Sequence, residues 1–283
     1  MSEFPIIRRP RRRAVAVIVS IPHYGTESLH GIEAEDYADD AYRSFPRGYA
    51  DAFAAEIYGD LDSVGATVLA TPYSRLFVDL NRRRSNYELH DGAVRSRRGV
   101  VRTHFRGNKP IFARPMSLAD LEARLAVYYD PYHRALDELV DEMLEQHGGV
   151  LVLDAHTGSE KGMMHHEFIL GTCGGRTANG ELTSTASAVI EGHGFDVAHN
   201  VPGYSGAHMV KRLGTSGRAA LHAIQIEINS RLIMACTRRE YFERIDRGEQ
   251  PAVDDGNLER LRACMRELVG RLGELVAERI NKL

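Results

Sequence analysis

From Ala14 to Val19 the chain is apolar without a break, rich in β-branched residues, and no polar position alternates with them. A strand with one wet face would alternate, so this run predicts a strand over residues 14–20 covered on both faces. Phe53, Ile57, Leu61 and Val64 then recur at spacings of three and four, which predicts a helix over residues 48–64 closed by Gly65. Residues 66–71 read as the next strand, halted by Pro72. A long helical pattern starts at Ser117, with Asp120 placed to complete a cap. Pro131 must kink or split it, since its ring removes an N–H and collides with the preceding turn; the second piece runs to Gly148 and Gly149. Residues 150–154 are a short apolar strand ending in a carboxylate, and 168–170, 195–199 and 223–228 read as further strands, with a helix over 181–193. The last helix spans about 256–282: Leu258, Leu261, Met265, Leu268, Leu272, Leu275 and Val276 form one stripe, with Arg and Glu on the other face.

Strands separated by helices imply an α/β fold, a single domain with a mainly parallel mixed sheet flanked by helices. Residues 1–13 read as a basic N-terminal tail, carrying Arg8, Arg9, Arg11, Arg12 and Arg13, ahead of one domain over 14–283. The Arg-rich, irregular stretch 84–114 reads as an excursion over the active face. Hydrophobic residues make up 43% and charged residues 27%, a soluble balance, and the formal net charge of −3 gives no global attraction to nucleic acid or an anionic membrane. No apolar run reaches the ~18 residues of a membrane span. Cys173, Cys236 and Cys264 are too scattered for a disulfide framework or a CxxC metal knot, which implies a cytoplasmic location.

In such a sheet, ligands bind beyond the carboxyl ends of the strands. The residues after each apolar run therefore matter most. They are His23 and Tyr24; Ser74, Arg75, Asp79, Asn81 and Arg82; Asp154 and His156; and Glu227, Asn229 and Arg231. One polar strand end means little, whereas four that converge on two imidazoles, carboxylates and arginines imply a site.

Neutral imidazole is a good zinc ligand, and a catalytic zinc takes three protein ligands and a water. His23 and His156 are the candidates, although a lone histidine is most often an ordinary polar residue and this chain has 13. The third ligand would be a carboxylate, with Glu27, Glu35 and Asp36 all open. Asp154 can accept the other N–H of the His156 ring and orient it. Glu227, between Ile226 and Ile228, is either a proton-transfer group or half of a buried salt bridge. Arg82 with Asn81 offers a fork and an amide that match a substrate carboxylate, and Arg75, Arg218 and Arg231 are further candidates for a carboxylate or an oxyanion. Gly203-Tyr204-Ser205-Gly206 lacks the spacing of a nucleophile elbow, and the glycines around Cys173 lack the lysine of a phosphate loop.

The segments Ile21-Pro22-His23-Tyr24-Gly25, Ser74 to Arg82, Leu153 to Thr157, Leu170-Gly171, Asn200-Val201-Pro202 with Gly206, and Gln225 to Asn229 resemble, in order, those of the N-formylglutamate amidohydrolase (deformylase) family. The resemblance implies a zinc-carboxypeptidase-like fold, one Zn2+ ion, and hydrolysis of N-formyl-L-glutamate to formate and L-glutamate, a late step of histidine degradation. It implies metal binding by His23 and His156, with Glu35 as first choice for the third ligand and Glu27 as second. It also implies a grip on the substrate carboxylate by Asn81 and Arg82, and Glu227 as the catalytic glutamate. The expected partner is a small N-acyl amino acid, not a nucleic acid or a membrane. The chain departs from the family in having Tyr24 and Thr157 where serine is common, and Gly203 inserted in a stretch that lacks the usual lysine. Two rival readings stand beside it: an N-acyl amino acid deacylase or small-peptide carboxypeptidase on the same fold, and a non-catalytic binder of acidic metabolites or nucleic acid.

Overall fold

The structure is a computed structural model describing residues 4–159, 163, 165–218 and 220–280; at Arg238 and residues 278–280 only the backbone is described. Its strands are β1 (Ile6–Arg8), β2 (Val17–Ile21), β3 (Thr67–Ala70), β4 (Glu88–His90), β5 (Ala93–Arg95), β6 (Val150–Gly158), β7 (Phe168–Gly171), β8 (Val197–His199) and β9 (Leu221–Asn229). Seven of them form one sheet in the order β1-β3-β2-β6-β9-β7-β8, and β4 and β5 make a separate hairpin. The β3-β2-β6-β9 centre is parallel, while β1 joins β3 and β7 joins β9 antiparallel, so the sheet is mixed as its pattern implied.

Helices α1 (Phe45–Tyr49), α2 (Ala54–Tyr58), α3 (Leu118–Arg124), α4 (Asp130–His147), α5 (Gly180–Gly192), α6 (His208–Gly214), α7 (Arg238–Asp246) and α8 (Asp255–Ile280) cover both faces. One face packs Val17, Val19, Ile21, Leu151, Leu153, Ile224 and Ile226 against α2, α5 and α8. The other packs Ile18, Val150, Val152, Leu221 and Ala223 against α3, α4 and α6. Burial on both sides explains why β2 reads as a continuous apolar run. No helix among the described residues is long and apolar enough to cross a membrane.

Three local expectations change, and one takes a particular form. The basic segment expected as a free tail is tied down from residue 6: β1 forms the sheet edge, and Arg11 grips Asp62 through both Nε and Nη2. The region 48–64 is not one helix but α1, α2 and a 3-10 turn, Leu61–Val64, with a break at residues 50–53. The split expected at Pro131 takes the form of a single wide π turn, Leu125–Tyr129, between α3 and α4, and α4 ends against Gly148. Strands β6 and β9 each run for nine residues, so the polar residues expected after them lie inside them. The Ser117–Asp120 capping box forms as expected.

That last change builds the site. On the α4 face, β6 carries Val150 and Val152 and then Asp154 and His156; β9 carries Leu221 and Ala223 and then Gln225 and Glu227. Alternation keeps all eight side chains on one side of the sheet. The face is therefore a dry core at the amino ends and a polar floor at the carboxyl ends.

Candidate active site

The polar floor opens into a cleft of about 1180 Å³ lined by His23, Asp51, Arg75, Arg82, His156 and Glu227, among others. His23 follows β2, and its Nδ1 lies 3.1 Å from Nδ1 of His156. Asp51, in the break between α1 and α2, brings Oδ2 to 2.9 Å from His156 Nδ1 and 3.5 Å from His23 Nδ1. Among the described residues, these three form the histidine–carboxylate group compact enough to hold a metal ion. The backbone fixes Asp51: its N–H donates to the His23 carbonyl at 3.0 Å, and the Thr157 N–H donates to its carboxylate at 3.3 Å. Phe53, two residues on, holds a left-handed φ of 63° while buried. That conformation is costly for an aromatic residue and persists where the surroundings impose it.

The outer nitrogens of both rings face buried carboxylates. His23 Nε2 donates to Asp79 Oδ1 at 2.8 Å. His156 Nε2 lies 3.1 Å from Asp154 Oδ1, an oxygen that makes no hydrogen bond among the described residues, and 2.9 Å from Asn81 Nδ2. A carboxylate behind each imidazole fixes the tautomer and turns the Nδ1 lone pair inward. Two such lone pairs at 3.1 Å repel unless a proton or a cation sits between them. The triangle of 3.1, 3.5 and 2.9 Å is close to the ligand spacing of about 3.3 Å set by a tetrahedral zinc with ~2.0–2.1 Å bonds. The donor set and its geometry thus fit a divalent cation.

The charge balance points the same way. Burial alone would raise the carboxyls of Asp51 and Asp79, but His23 and His156 hold Asp51, and Arg75 and His23 hold Asp79, well below the usual range. Burial opposes a charged His156 ring, yet Asp154 and Asp51 push it well above its ordinary value. Glu227 lies directly across from His156 in the β6–β9 register. Burial pushes its carboxyl up to about 7 against the pull of the His156 charge. Gln225 Nε2 donates to Glu227 Oε1 at 2.6 Å, leaving Oε2 to the cleft.

The other expected residues divide. Arg82 lines the cleft, 40% exposed, with its Nε unpartnered and 3.7 Å from Asp79. Arg231 is exposed on the same cleft. Arg75 also lines it, but its Nη2 donates to Asp79 at 2.7 Å and its Nη1 to Asp51 at 3.4 Å, so it braces the carboxylates around the histidines. Asn81, expected to hold substrate, lines the cleft, and its amide is already engaged: Nδ2 donates to Asp154 at 2.7 Å and lies 2.9 Å from His156 Nε2, and Oδ1 accepts from the Met209 N–H at 2.9 Å. It orients the His156–Asp154 pair. Asn229, also expected at substrate, is fully buried, outside the cleft lining, and bonded to the His166 carbonyl and the Arg231 N–H. Arg218 is paired with Asp141 away from the cleft.

Glu35 and Glu27, expected as third ligand, are exposed and absent from both the cleft and the histidine cluster. Glu35 lies in a one-turn 3-10 helix, and the Glu27 backbone bridges Tyr73. The carboxylate beside the two histidines is that of Asp51. It lay hidden inside a segment with helical spacing, and the sequence signal available for the break was Gly48, a weak helix former three residues before it. Asp79 was visible as a strand-end carboxylate but not as the partner of His23.

A model of the N-formylglutamate amidohydrolase family matches residues 15–234. The chain is 28% identical over 223 residues to an N-formylglutamate deformylase of Pseudomonas putida, covering 75% of this chain and 79% of that protein. It is 27% identical over 233 residues to the deformylase of the same name from Pseudomonas aeruginosa, covering 77% and 82%. Among solved structures, the N-formylglutamate amidohydrolase from Ralstonia eutropha JMP134 superposes with a TM-score of 0.78 at 22% identity, over 96% of this chain and 98% of that one. The matched segment begins at β2 and ends beyond β9, and so contains His23, Asp51, Asp79, His156 and Glu227. The polar floor and its cleft therefore lie within a chain that belongs to the N-formylglutamate amidohydrolase family.

Proposed function

We propose that this protein hydrolyses the N-formyl amide of an acidic amino acid, N-formyl-L-glutamate, to formate and L-glutamate, with a zinc ion held by His23, Asp51 and His156. One observation carries the reading: two inward-turned imidazole nitrogens and one carboxylate oxygen form a tetrahedral face beside a carboxyl group with a pKa of about 7. The names of the curated relatives supply the substrate.

Zinc bound there supplies Lewis acidity, bringing the pKa of a water toward ~7 and polarising the acyl oxygen. The protein does the rest. Glu227, near neutrality, accepts a proton at Oε2 from the attacking water and returns it to the departing amine nitrogen. Gln225 holds Oε1 so that Oε2 stays aimed at the cleft. Arg82 pairs with a substrate carboxylate and fixes the amide over the histidines. Asp79, Asp154, Asn81 and Arg75 keep the three ligands in place.

The deciding experiment measures formate release from N-formyl-L-glutamate by protein loaded with zinc and by protein stripped with a chelator. Release that requires zinc supports the reading; release that survives full stripping, or none in either form, refutes it. A second reading has its own observation. The cleft lining also includes Met234, Cys236, Tyr241 and Phe242, more apolar surface than a formyl group can cover. That favours N-acyl amino acids with longer acyl chains, and N-acetyl- and N-butyryl-glutamate in the same assay separate the two.

A further inference from the structure

N-formylglutamate carries two carboxylates, and the reading above assigns a cation to only one of them. The geometry points to Arg98 as the residue that reads the second, which makes it a determinant of specificity for acidic over neutral N-acyl amino acids. This inference rests on the proposed function and extends it. Arg98 lines the cleft, is exposed there, and among the described residues has no hydrogen bond or ion pair. Arg75, in contrast, is committed to Asp79 and Asp51. An unpaired guanidinium facing a cleft is suited to a carboxylate that arrives with the ligand.

The segment that carries Arg98 is held in place. Val100 and Val101, just after it, are fully buried. The Gly99 N–H donates to Ser96 Oγ at 2.9 Å, and a Cβ at residue 99 would meet the Asn86 carbonyl oxygen at 2.0 Å, so only glycine fits that turn. The turn is also fastened to the metal-ligand scaffold. The Asp79 N–H donates to the Val100 carbonyl at 2.7 Å, and Arg102 Nη1 donates to the Arg97 carbonyl at 2.9 Å while its Nη2 lies 3.9 Å from the Asp79 carboxylate. Asp79 in turn holds His23 at 2.8 Å. One carboxylate thus sets the position of a histidine ligand and of the loop that presents Arg98. That is how a protein fixes the distance between a scissile amide and a remote charge.

The test compares kcat/KM for N-formyl-L-glutamate and N-formyl-L-glutamine, near-isosteres that differ in the side-chain charge, in zinc-loaded wild type, Arg98→Gln and Arg97→Gln. The Arg97 side chain does not line the cleft and controls for long-range charge. Arg98→Gln is expected to lower kcat/KM on the glutamate substrate about 10- to 100-fold, mainly through KM, the loss expected for a charged hydrogen-bonded pair. It should leave the glutamine substrate within about 3-fold, so that discrimination collapses. Equal losses on both substrates, an equal effect of Arg97→Gln, or unchanged discrimination would overturn the assignment. A binding arm separates this result from failure of the proposed reaction: calorimetry of L-glutamate and L-glutamine with the zinc-loaded protein requires no turnover. Preference for glutamate in wild type that is lost in Arg98→Gln supports the assignment; no preference in wild type defeats it even where formate is released.

Discussion

At the scale of single residues, the site depends on which atoms are left free. His23 spends Nε2 on Asp79, His156 Nε2 lies between Asp154 and the Asn81 amide, and this leaves both Nδ1 atoms for a cation. Replacing Asp79 or Asp154 by Asn keeps the shape but removes the charge behind the ring. Zinc affinity is expected to weaken about 10- to 100-fold, read by competition with a chromophoric chelator. Asp51→Asn removes a ligand oxygen, and its loss should exceed both; a smaller loss would show that Asp51 is not a ligand. Glu227 makes a different prediction. With its carboxyl at about 7 in the ion-free protein, the carboxylate form grows as pH rises, so the acid limb of kcat/KM should climb with pH. A cation beside it favours the carboxylate, which places the midpoint of that limb below 7 in the zinc form. Glu227→Gln should cost about 100- to 10,000-fold in kcat and abolish the limb while zinc content stays at the wild-type level. A variant that keeps both rate and limb would remove Glu227 from the mechanism.

At the scale of elements, precision comes from close backbone contacts around the strand ends. The loop after β2 lies against residues 72–74: a Cβ on Gly25 would stand 2.1 Å from the Pro72 carbonyl carbon, and the Glu27 N–H donates to the Pro72 carbonyl. Backbone cannot yield as a side-chain tip can, so Gly25→Ala must displace the loop that carries His23. A cost of about 1–3 kcal/mol, or roughly 2–4 °C in Tm for each kcal/mol, is expected together with weaker zinc binding. Unchanged melting and metal affinity would show that the loop has slack. The elements also show what a sequence can reveal. The central strands were legible because burial on both faces leaves an uninterrupted apolar run, and α8 because its stripe keeps helical period. His23, His156 and Glu227 were legible as polar residues at the ends of such runs. Asp51 was not, because Phe53, Ile57 and Leu61 are all buried in the same core and give a helical spacing to a segment whose backbone is broken. Asn229 looks like a ligand-binding amide in sequence, but its side chain lies outside the cleft lining and satisfies the His166 carbonyl, a role that depends on a partner far along the chain, whereas Asn81 lines the cleft and also braces Asp154.

At the scale of the whole molecule, the sheet forms from apolar contacts that need no metal, and the carboxyl ends of its strands carry a concentrated negative demand. Asp51, Asp79, Asp154 and Glu227 gather around two imidazoles, and a proton or a cation must answer them. The consequence for stability can be given a sign. His156, raised well above its ordinary value, contributes stability that is complete below about 6.5 and is lost as pH climbs toward its raised value. Glu227, raised from 4.5 to about 7, loses its contribution as pH climbs through that interval. Asp51 and Asp79 are depressed, so their contributions fade only in acid and stay constant above pH 5. The ion-free protein should therefore lose stability as pH rises above about 6.5. On the proposed reading, zinc takes over from the departing protons and binds more tightly as they leave; at a hundred times its Kd it adds about 2.7 kcal/mol. The gap in Tm between zinc-loaded and stripped protein should widen steadily from pH 6 to pH 9, measured by calorimetry at fixed free zinc. It should vanish in His23→Ala, which removes one corner of the triangle. A gap that is flat or narrows with pH would mean that zinc does not replace protons at these residues, and the cluster would then be a network of buried ion pairs.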